Sequence, residues 1–452
     1  MKKLDNRAKK DYCITVVKRN QFLWKVAITM EYTRMDKAAL QSRLSQMQEA
    51  YAQYQQMHLN LNMARGKPES RQLDLSNGLF TALQSGDAMK GADQMDVRNY
   101  GVLTGLSEVK QLFADLLGVR RENVIIGGAS SLNLMFDYIS QCMTHGVCGE
   151  APWFGQKIKF LCPVPGYDRH FGILEYFGIE MLNVDMSDDG PDMDAIESYV
   201  RDPLVKGMFC VPKYSNPGGV TFSAQTVDRI AKLKPAAKDF RIIWDNAYVI
   251  HDFSDTPDVL PEIFSECEKY GTQDHIIEVA SFAKVTFPGS CISCIVASDR
   301  NIAQIEKRMS YQIINHDKVS QLRHLNFFRD AQGVLAHMQR QAEILRPKFR
   351  TVLDNFSEKL EGKGIADWTK PNGGYFVSLN VLDGCAKRVV SLCKQAGLVL
   401  TGAGATYPYG KDPRDRNIRI APTFPSTEEL QQAMDVLCVC IEIACIEKIL
   451  EA

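Results

Sequence analysis

The sequence predicts an α/β protein in which a mainly parallel sheet is covered by helices on both faces, with a smaller α+β unit completing the chain. Three observations carry this expectation. Seven short apolar runs, over residues 123–128, 158–164, 179–186, 207–212, 241–244, 275–279 and 292–297, have strand length and little polar alternation, the pattern of strands buried on both faces. Helix-length segments separate most of them, as crossovers between parallel strands require. A chain of 452 residues also exceeds what one core usually organises, so a large domain and a smaller one are expected.

The bulk properties narrow the class. Formal net charge is −1 and hydrophobic residues make up 45% of the chain, an ordinary enzyme composition with no basic excess to suggest nucleic acid as a partner. No apolar run approaches the length of a membrane span. Thirteen cysteines are scattered from Cys13 to Cys445. The close pairs, Cys291 with Cys294 and Cys438 with Cys440, lack a second pair at zinc-site spacing. No metal site is therefore expected, and the thiols read as small buried hydrophobes in a reducing cytoplasm.

Taken in order, the chain opens with Lys2, Lys3, Arg7, Lys9 and Lys10 ahead of an apolar stretch over 22–30. Lys25 interrupts that stretch and no small-x-small cleavage site follows it, which argues against a signal peptide. Residues 1–34 are expected to be a poorly ordered leader, with the fold beginning near Met35. Leu40, Leu44, Met47, Tyr51 and Tyr54 then recur at helical spacing and make one docked apolar stripe. This helix and the turn-rich crossing segment behind it, residues 35–97, are assigned to the smaller domain. The large domain is expected over 98–325, opening with a glycine-punctuated loop before a helix at 108–117. The C-terminal part of the small domain follows over 326–452. After residues 318–323 a long helical stretch runs to about Leu360, and the last helix is announced by Ser426-Thr-Glu-Glu429, a capping box ahead of Leu430, Met434, Leu437 and Ile441.

The residues that could carry chemistry gather at predicted strand ends, where open parallel sheets bind ligands. Lys284 lies in a small-residue turn, Ser281-Phe-Ala-Lys284, between two apolar runs. A lysine amine shifts its pKa readily when desolvated or placed near other cations, as an imine-forming nucleophile requires. Asp245 and Tyr248 leave the end of the 241–244 run together, and Asn216 sits in Tyr214-Ser-Asn216-Pro-Gly-Gly219 after another. Gly128-Ala129-Ser130-Ser131 joins a strand to a helix, where free amides and two hydroxyls suit a phosphate. Each has a purely structural second reading: Lys284 as a surface lysine lying along a loop, Asp245 as a helix cap, Asn216 as a turn former, and Ser130 or Ser131 as an N-cap.

Taken together, these motifs resemble the fold-type I, class I/II aminotransferases that use pyridoxal 5'-phosphate, over residues 62–425. The resemblance implies a three-layer sandwich whose mainly parallel, seven-stranded sheet forms the cofactor domain. It implies that Lys284 carries the cofactor, with Ser281 near the phosphate. Asp245, in Asp245-Asn-Ala-Tyr248, would pair with the pyridinium nitrogen, while Tyr248 and Asn216 bond the phenolic oxygen and Tyr167, in Pro165-Gly-Tyr167, stacks on the ring. Ala129, Ser130 and Ser131 would receive the phosphate, joined across a homodimer interface by Tyr100 of a second copy. Arg419, in Asn417-Ile-Arg419-Ile, is similar to the arginine that grips the substrate α-carboxylate. A further likeness, in Ala64-Arg65-Gly66-Lys67-Pro68 and in segments 73–76, 162–170 and 211–217, is to a bacterial subgroup described as aspartate aminotransferases. It brings Arg65 and Gly66 to the substrate. One motif departs: where the wider family has Pro-Gly-x-Arg, with an arginine for the phosphate, this chain reads Pro288-Gly-Ser-Cys291. The phosphate would then rest on amides, Ser130, Ser131, Ser281, Ser290 and Tyr100.

The implied activity is transfer of an amino group between an L-amino acid, aspartate foremost, and a 2-oxo acid, 2-oxoglutarate foremost, with Lys284 as the base at the α-carbon. Two alternatives use the same motifs. A β-lyase or decarboxylase on this fold would keep the cofactor residues but need no acceptor acid. A transcription regulator with an aminotransferase-like domain would need a DNA-binding module, for which the leader is too short.

Overall fold

The structure, a computed structural model, describes residues 31–451. Most of the leader expected over 1–34 lies outside them, but its last residues are packed. Tyr32–Arg34 form a turn of 3-10 helix in which the Tyr32 ring is buried, its amide bonds the Lys363 carbonyl at 2.9 Å and its hydroxyl bonds Glu442. The fold thus begins a little before Met35, because a buried carboxylate far along the chain holds this aromatic residue down. Helix α1 (Lys37–Gln56) follows, capped by Asp36 and burying Leu40, Leu44, Met47 and Tyr54 along the expected stripe.

The central sheet has eight strands: β1 (Val124–Gly127), β2 (Lys159–Val164), β3 (Glu180–Ser187), β4 (Gly190–Pro191), β5 (Val205–Cys210), β6 (Arg241–Asp245), β7 (Ile276–Ser281) and β8 (Ser293–Ala297). Their spatial order is β1-β8-β7-β6-β5-β2-β3-β4. From β7 to β3 every pairing is parallel. β8 runs antiparallel to both β1 and β7, and β4 is a two-residue return of β3. All seven apolar runs are strands, and the eighth strand is too short to leave a pattern.

Side chains alternate between faces even where a strand is buried throughout. Ile243 of β6 enters one core with Ile125, Ile277 and Ile295, under α2 (Ser131–His145) and α3 (Asp168–Tyr176). Its neighbours Ile242 and Trp244 enter another with Met208 and Ile276. Helices cover both faces, giving three layers, and the strands read as continuous apolar runs because neither face meets water.

A separate core joins α1 to the C-terminal elements. Two helices, α4 (Lys318–Phe328) and α5 (Ala331–Leu360), replace the single helical stretch expected after residues 318–323; α4 packs in a further core with Phe282 and Ile292, and α5 reaches from there into the C-terminal one. The chain turns at Arg329, with φ of 70°, and Asp330 restarts the helix by accepting the Gly333 amide at 2.8 Å. A Cβ at Gly333 would lie 1.9 Å from the Phe328 carbonyl oxygen, so this junction closes only over glycine. An antiparallel sheet of β9 (Ala366–Trp368), β10 (Val377–Val381) and β11 (Asn417–Ile420) packs nearby. Helix α6 (Thr427–Glu451) opens with the expected capping box, the Ser426 and Glu429 amides each bonding the other's side chain at 2.9 and 3.2 Å. It is buried on every side between Ala433 and Ile446 rather than along one stripe. All twelve described cysteines are free, and all but Cys148 are buried. Among the described residues no helix is long and apolar enough to cross a membrane, and no cluster of side chains has the makings of a metal site.

One buried ammonium ties the two halves of the C-terminal core to the loop that enters the site. Lys348 of α5 donates to the Thr423 and Pro425 carbonyls at 2.7 and 2.6 Å and pairs with Glu69 at 2.8 Å, while the Thr423 hydroxyl donates to the Lys67 carbonyl at 2.9 Å. Burial holds the Lys348 pKa below the ordinary lysine value. Lys348→Ala would strand the Glu69 carboxylate and two carbonyls, and should cost about 3 kcal/mol, the scale for removing one partner of a buried pair. The check is the urea midpoint, which should fall with little change in slope. An unchanged midpoint would show that the segment is held by other contacts.

Candidate active site

The carboxyl ends of the parallel strands open onto a cavity of about 330 Å³. Arg65, Gly66, Ser130, Ser131, Tyr167, Asn216, Asp245, Tyr248, Ser281, Lys284 and Arg419 all line it. Two candidates do not. Ala129 turns away, its carbonyl accepting the Cys291 thiol at 2.9 Å, and Tyr100 is 74% exposed on the outer surface. Ser290 is also exposed and outside the cavity.

Lys284 follows β7 in the turn that leads to β8. Its Nζ stands 4.8 Å from the centre of the Tyr248 ring and 5.8 Å from that of Tyr375, whose hydroxyl donates to the Lys284 carbonyl at 3.3 Å. The amine is thus half-buried against two aromatic faces, not a lysine lying over a loop. Two fully buried histidines hold the residues after it. His337 of α5 bonds the Val285 carbonyl through Nε2 at 2.9 Å, and His324 of α4 meets the Thr286 hydroxyl at 3.0 Å.

Asp245 is the last residue of β6 and is buried. One carboxylate oxygen accepts from Nε2 of His170 at 3.0 Å, and the other has no hydrogen-bond partner among the described residues. It caps no helix. His170 comes from α3 and stacks on Phe209 of β5, with ring centres 4.4 Å apart. Burial pushes the Tyr167 phenol up to about 12 and the Tyr248 phenol well above its ordinary value, so both remain neutral donors at physiological pH.

The phosphate candidates sit at the start of α2. Ser130 holds the N-cap position, yet its side chain makes no capping bond, and Ser130, Ser131 and Leu132 at the start of the helix line the cavity. Cys291 occupies the place of the absent arginine, and its thiol is buried against the Ala129 carbonyl.

Arg419 comes from β11 and is only 6% exposed, with Phe376 5.0 Å below its guanidinium. Nη1 donates to Asp168 at 2.9 Å and to Asn216 at 3.3 Å, and Nη2 to Thr401 at 3.4 Å. Gly66 must be glycine, because a Cβ there would come within 2.6 Å of the Phe376 ring. Beside it Arg65 is exposed and makes no ion pair among the described residues, and Lys67 and Arg169 line the same mouth. His170, Asp168, Arg169, His324 and His337 were not among the sequence candidates. Asp168, Arg169 and His170 had a local signal, since all three follow Tyr167 inside the family-like segment 162–170.

This fold, with a lysine and a half-satisfied buried carboxylate meeting at the strand ends, defines the class of fold-type I pyridoxal-phosphate-dependent aminotransferases. The chain belongs to the aspartate aminotransferase family, whose model, described as aspartate amino-transferase, matches residues 35–452. It is 45% identical to an aspartate aminotransferase of Corynebacterium glutamicum over 86% of this chain and 90% of that one. The crystal structure of an aspartate transaminase from Corynebacterium glutamicum superposes with a TM-score of 0.91 at 41% identity, covering 93% of this chain and 100% of that one. At 17% identity, an α-aminoadipate aminotransferase from Thermus thermophilus, solved with N-(5'-phosphopyridoxyl)-L-leucine, shares the fold with a TM-score of 0.70 over 85% of this chain and 92% of that one.

The histidine pair behind Lys284 makes this region acid-sensitive. Burial lowers the pKa of both His324 and His337 to about 4, from an ordinary value of 6.5. Between those values the unfolded chain binds protons that the folded chain does not, so stability falls as pH drops from about 6.5 toward 4, by about 1.4 kcal/mol per pH unit for each ring. Urea midpoints measured from pH 7.5 to 5 should show a plateau and then this slope, and His337→Gln should make the slope shallower. An equal slope in the variant would mean that His337 is not a source of the acid sensitivity.

Proposed function

We propose that this aminotransferase binds pyridoxal 5'-phosphate in the cavity and exchanges an amino group between L-aspartate and 2-oxoglutarate. The observation that carries the reading is the unpaired, buried oxygen of Asp245 in the same cavity as Lys284. A buried carboxylate with one oxygen unsatisfied is costly unless a donor arrives, and a protonated pyridine nitrogen is such a donor. The residues fit the rest of that cofactor too: free hydroxyls and amides at the start of α2 for its phosphate, together with Ser281, and the Tyr167 ring for its face.

When bound, the cofactor supplies an electron sink that lowers the cost of breaking the substrate's Cα–H bond. The protein does the remainder. Lys284 Nζ would hold the cofactor, and its amine would be the base that moves the proton at the substrate α-carbon. Asp245 would present its unpaired carboxylate oxygen to the ring nitrogen, and the His170 bond fixes its orientation. Tyr248 and Asn216 present a hydroxyl and an amide to the cofactor's phenolic oxygen. Arg419 presents its planar fork to the substrate α-carboxylate. Arg65 is the cation we assign to a second carboxylate, with Gly66 letting its loop lie flat on Phe376. Tyr100 projects outward to complete the phosphate site of a second copy, in a cytoplasmic homodimer.

Borohydride reduction followed by peptide mapping should find the cofactor on Lys284; attachment to another lysine overturns its role. In an amino-donor panel with 2-oxoglutarate, aspartate should be used fastest. Release of pyruvate and ammonia without an acceptor would indicate a lyase instead.

Arg65 separates donors by their side chains. Arg65→Ala should raise KM for aspartate about tenfold or more while changing that for alanine less than about twofold, since only aspartate has a second carboxylate to lose its charge partner. Equal losses for the two donors would show that Arg65 does not read the side chain.

A further inference from the structure

We propose that Asp168 is a built-in stand-in for the substrate carboxylate: it neutralises Arg419 in the empty site and is exchanged for the incoming α-carboxylate. The inference rests on the reading of Arg419 as the substrate's α-carboxylate grip, and adds that this grip is already occupied by the protein itself.

Three features of the pair favour exchange over a permanent bridge. The first is its form. One oxygen of Asp168 meets one guanidinium nitrogen at 2.9 Å, while Arg419 Nε has no partner among the described residues. A carboxylate arriving in the plane of the fork could take two parallel bonds where Asp168 takes one. The second is the asymmetry of burial. Arg419 is 6% exposed and Asp168 is 34% exposed. The guanidinium is held by strand pairing of Arg419 with Ser378, by Phe376 beneath it and by Thr401 and Asn216 around it. The carboxylate has a way out to water, so it is the partner that moves. The third is where Asp168 goes. As the first residue of the nine-residue helix α3 it stays beside the free amides of a helix start when it leaves the arginine, which offsets part of the loss.

The arrangement has a functional logic. A guanidinium buried at this depth with no counter-ion is costly, and Asp168 removes that cost between turnovers. It also sets a threshold for entry. An anion that offers only one contact gains nothing over Asp168, whereas a planar carboxylate does. Part of the substrate's binding energy is therefore spent on displacing Asp168, which weakens carboxylate binding and keeps product from being retained.

The test uses the cofactor-loaded enzyme and propionate, a monocarboxylate with no amine to react, titrated by calorimetry at constant ionic strength. Asp168→Asn keeps the shape and loses the charge, and should bind propionate roughly three- to tenfold more tightly than the wild type. Asp168→Ala should change affinity in the same direction. Equal or weaker binding in both variants overturns the exchange and leaves Asp168 as a residue that merely positions Arg419. In a crystal of the wild-type complex the propionate carboxylate should lie on Arg419 with Asp168 turned away; Asp168 still within hydrogen-bond distance would also overturn it. Arg419→Gln isolates the underlying reading. Loss of propionate binding supports Arg419 as the grip, whereas wild-type affinity removes that reading and the exchange with it.

Discussion

A carboxylate buried at the end of a strand with one oxygen unsatisfied is the constraint around which this site is arranged. Asp245 is held in place by the β6 backbone and by the His170 bond, and His170 is in turn fixed by stacking on Phe209. Three elements of the sheet layer, β6, β5 and α3, thus agree on the position of one oxygen atom. That oxygen has no hydrogen-bond donor among the described residues, and it belongs to a residue lining the cavity. An unpaired buried carboxylate oxygen is costly, and a ligand that brings the missing donor removes the cost, which links the packing of the large core to the cofactor reading.

The C-terminal core supplies the opposite wall. Arg419 arrives on β11, the residues after Lys284 are clamped from α4 and α5, and the loop carrying Arg65 and Gly66 is tied through Glu69 to α5 and through Lys67 to Thr423. Each group with a proposed role at the substrate is therefore positioned by elements distant in sequence, while the groups proposed for the cofactor ring stand mostly on consecutive strands of one sheet. The cavity exists because two separately packed cores face each other across it.

Much of this was legible from residue order, and the reason differs by element. The seven strands showed themselves because burial on both faces demands unbroken apolar runs. Lys284, Asp245, Tyr248, Asn216 and Arg419 stood in short motifs that place each at a strand end or turn, so local pattern sufficed to nominate them. What stayed hidden depends on pairing across the chain. The Asp168–Arg419 contact spans 251 residues, and the His337 bond to Val285 spans 52. A histidine inside a helical pattern carries no mark of the carbonyl it will meet. The break at Arg329 stayed hidden for a related reason: Asp330 and Gly333 are a weak local signal inside a helical pattern, and only the structure shows Asp330 capping a new helix and the Phe328 carbonyl lying where a Cβ at Gly333 would be.

The burial of the thiols has a practical corollary. Eleven cysteines are closed off within the cores, three of them on α6 where every side of the helix is packed. Burial raises the pKa of several, Cys142 and Cys438 to about 12, so they present almost no thiolate even to a small reagent that reaches them. Alkylation at these positions must wait for the surrounding helices to separate. The rate at which an alkylating reagent marks Cys438, Cys440 and Cys445 is therefore an internal clock for opening of the C-terminal core, and marking of Cys142 reports the sheet layers independently in the same sample.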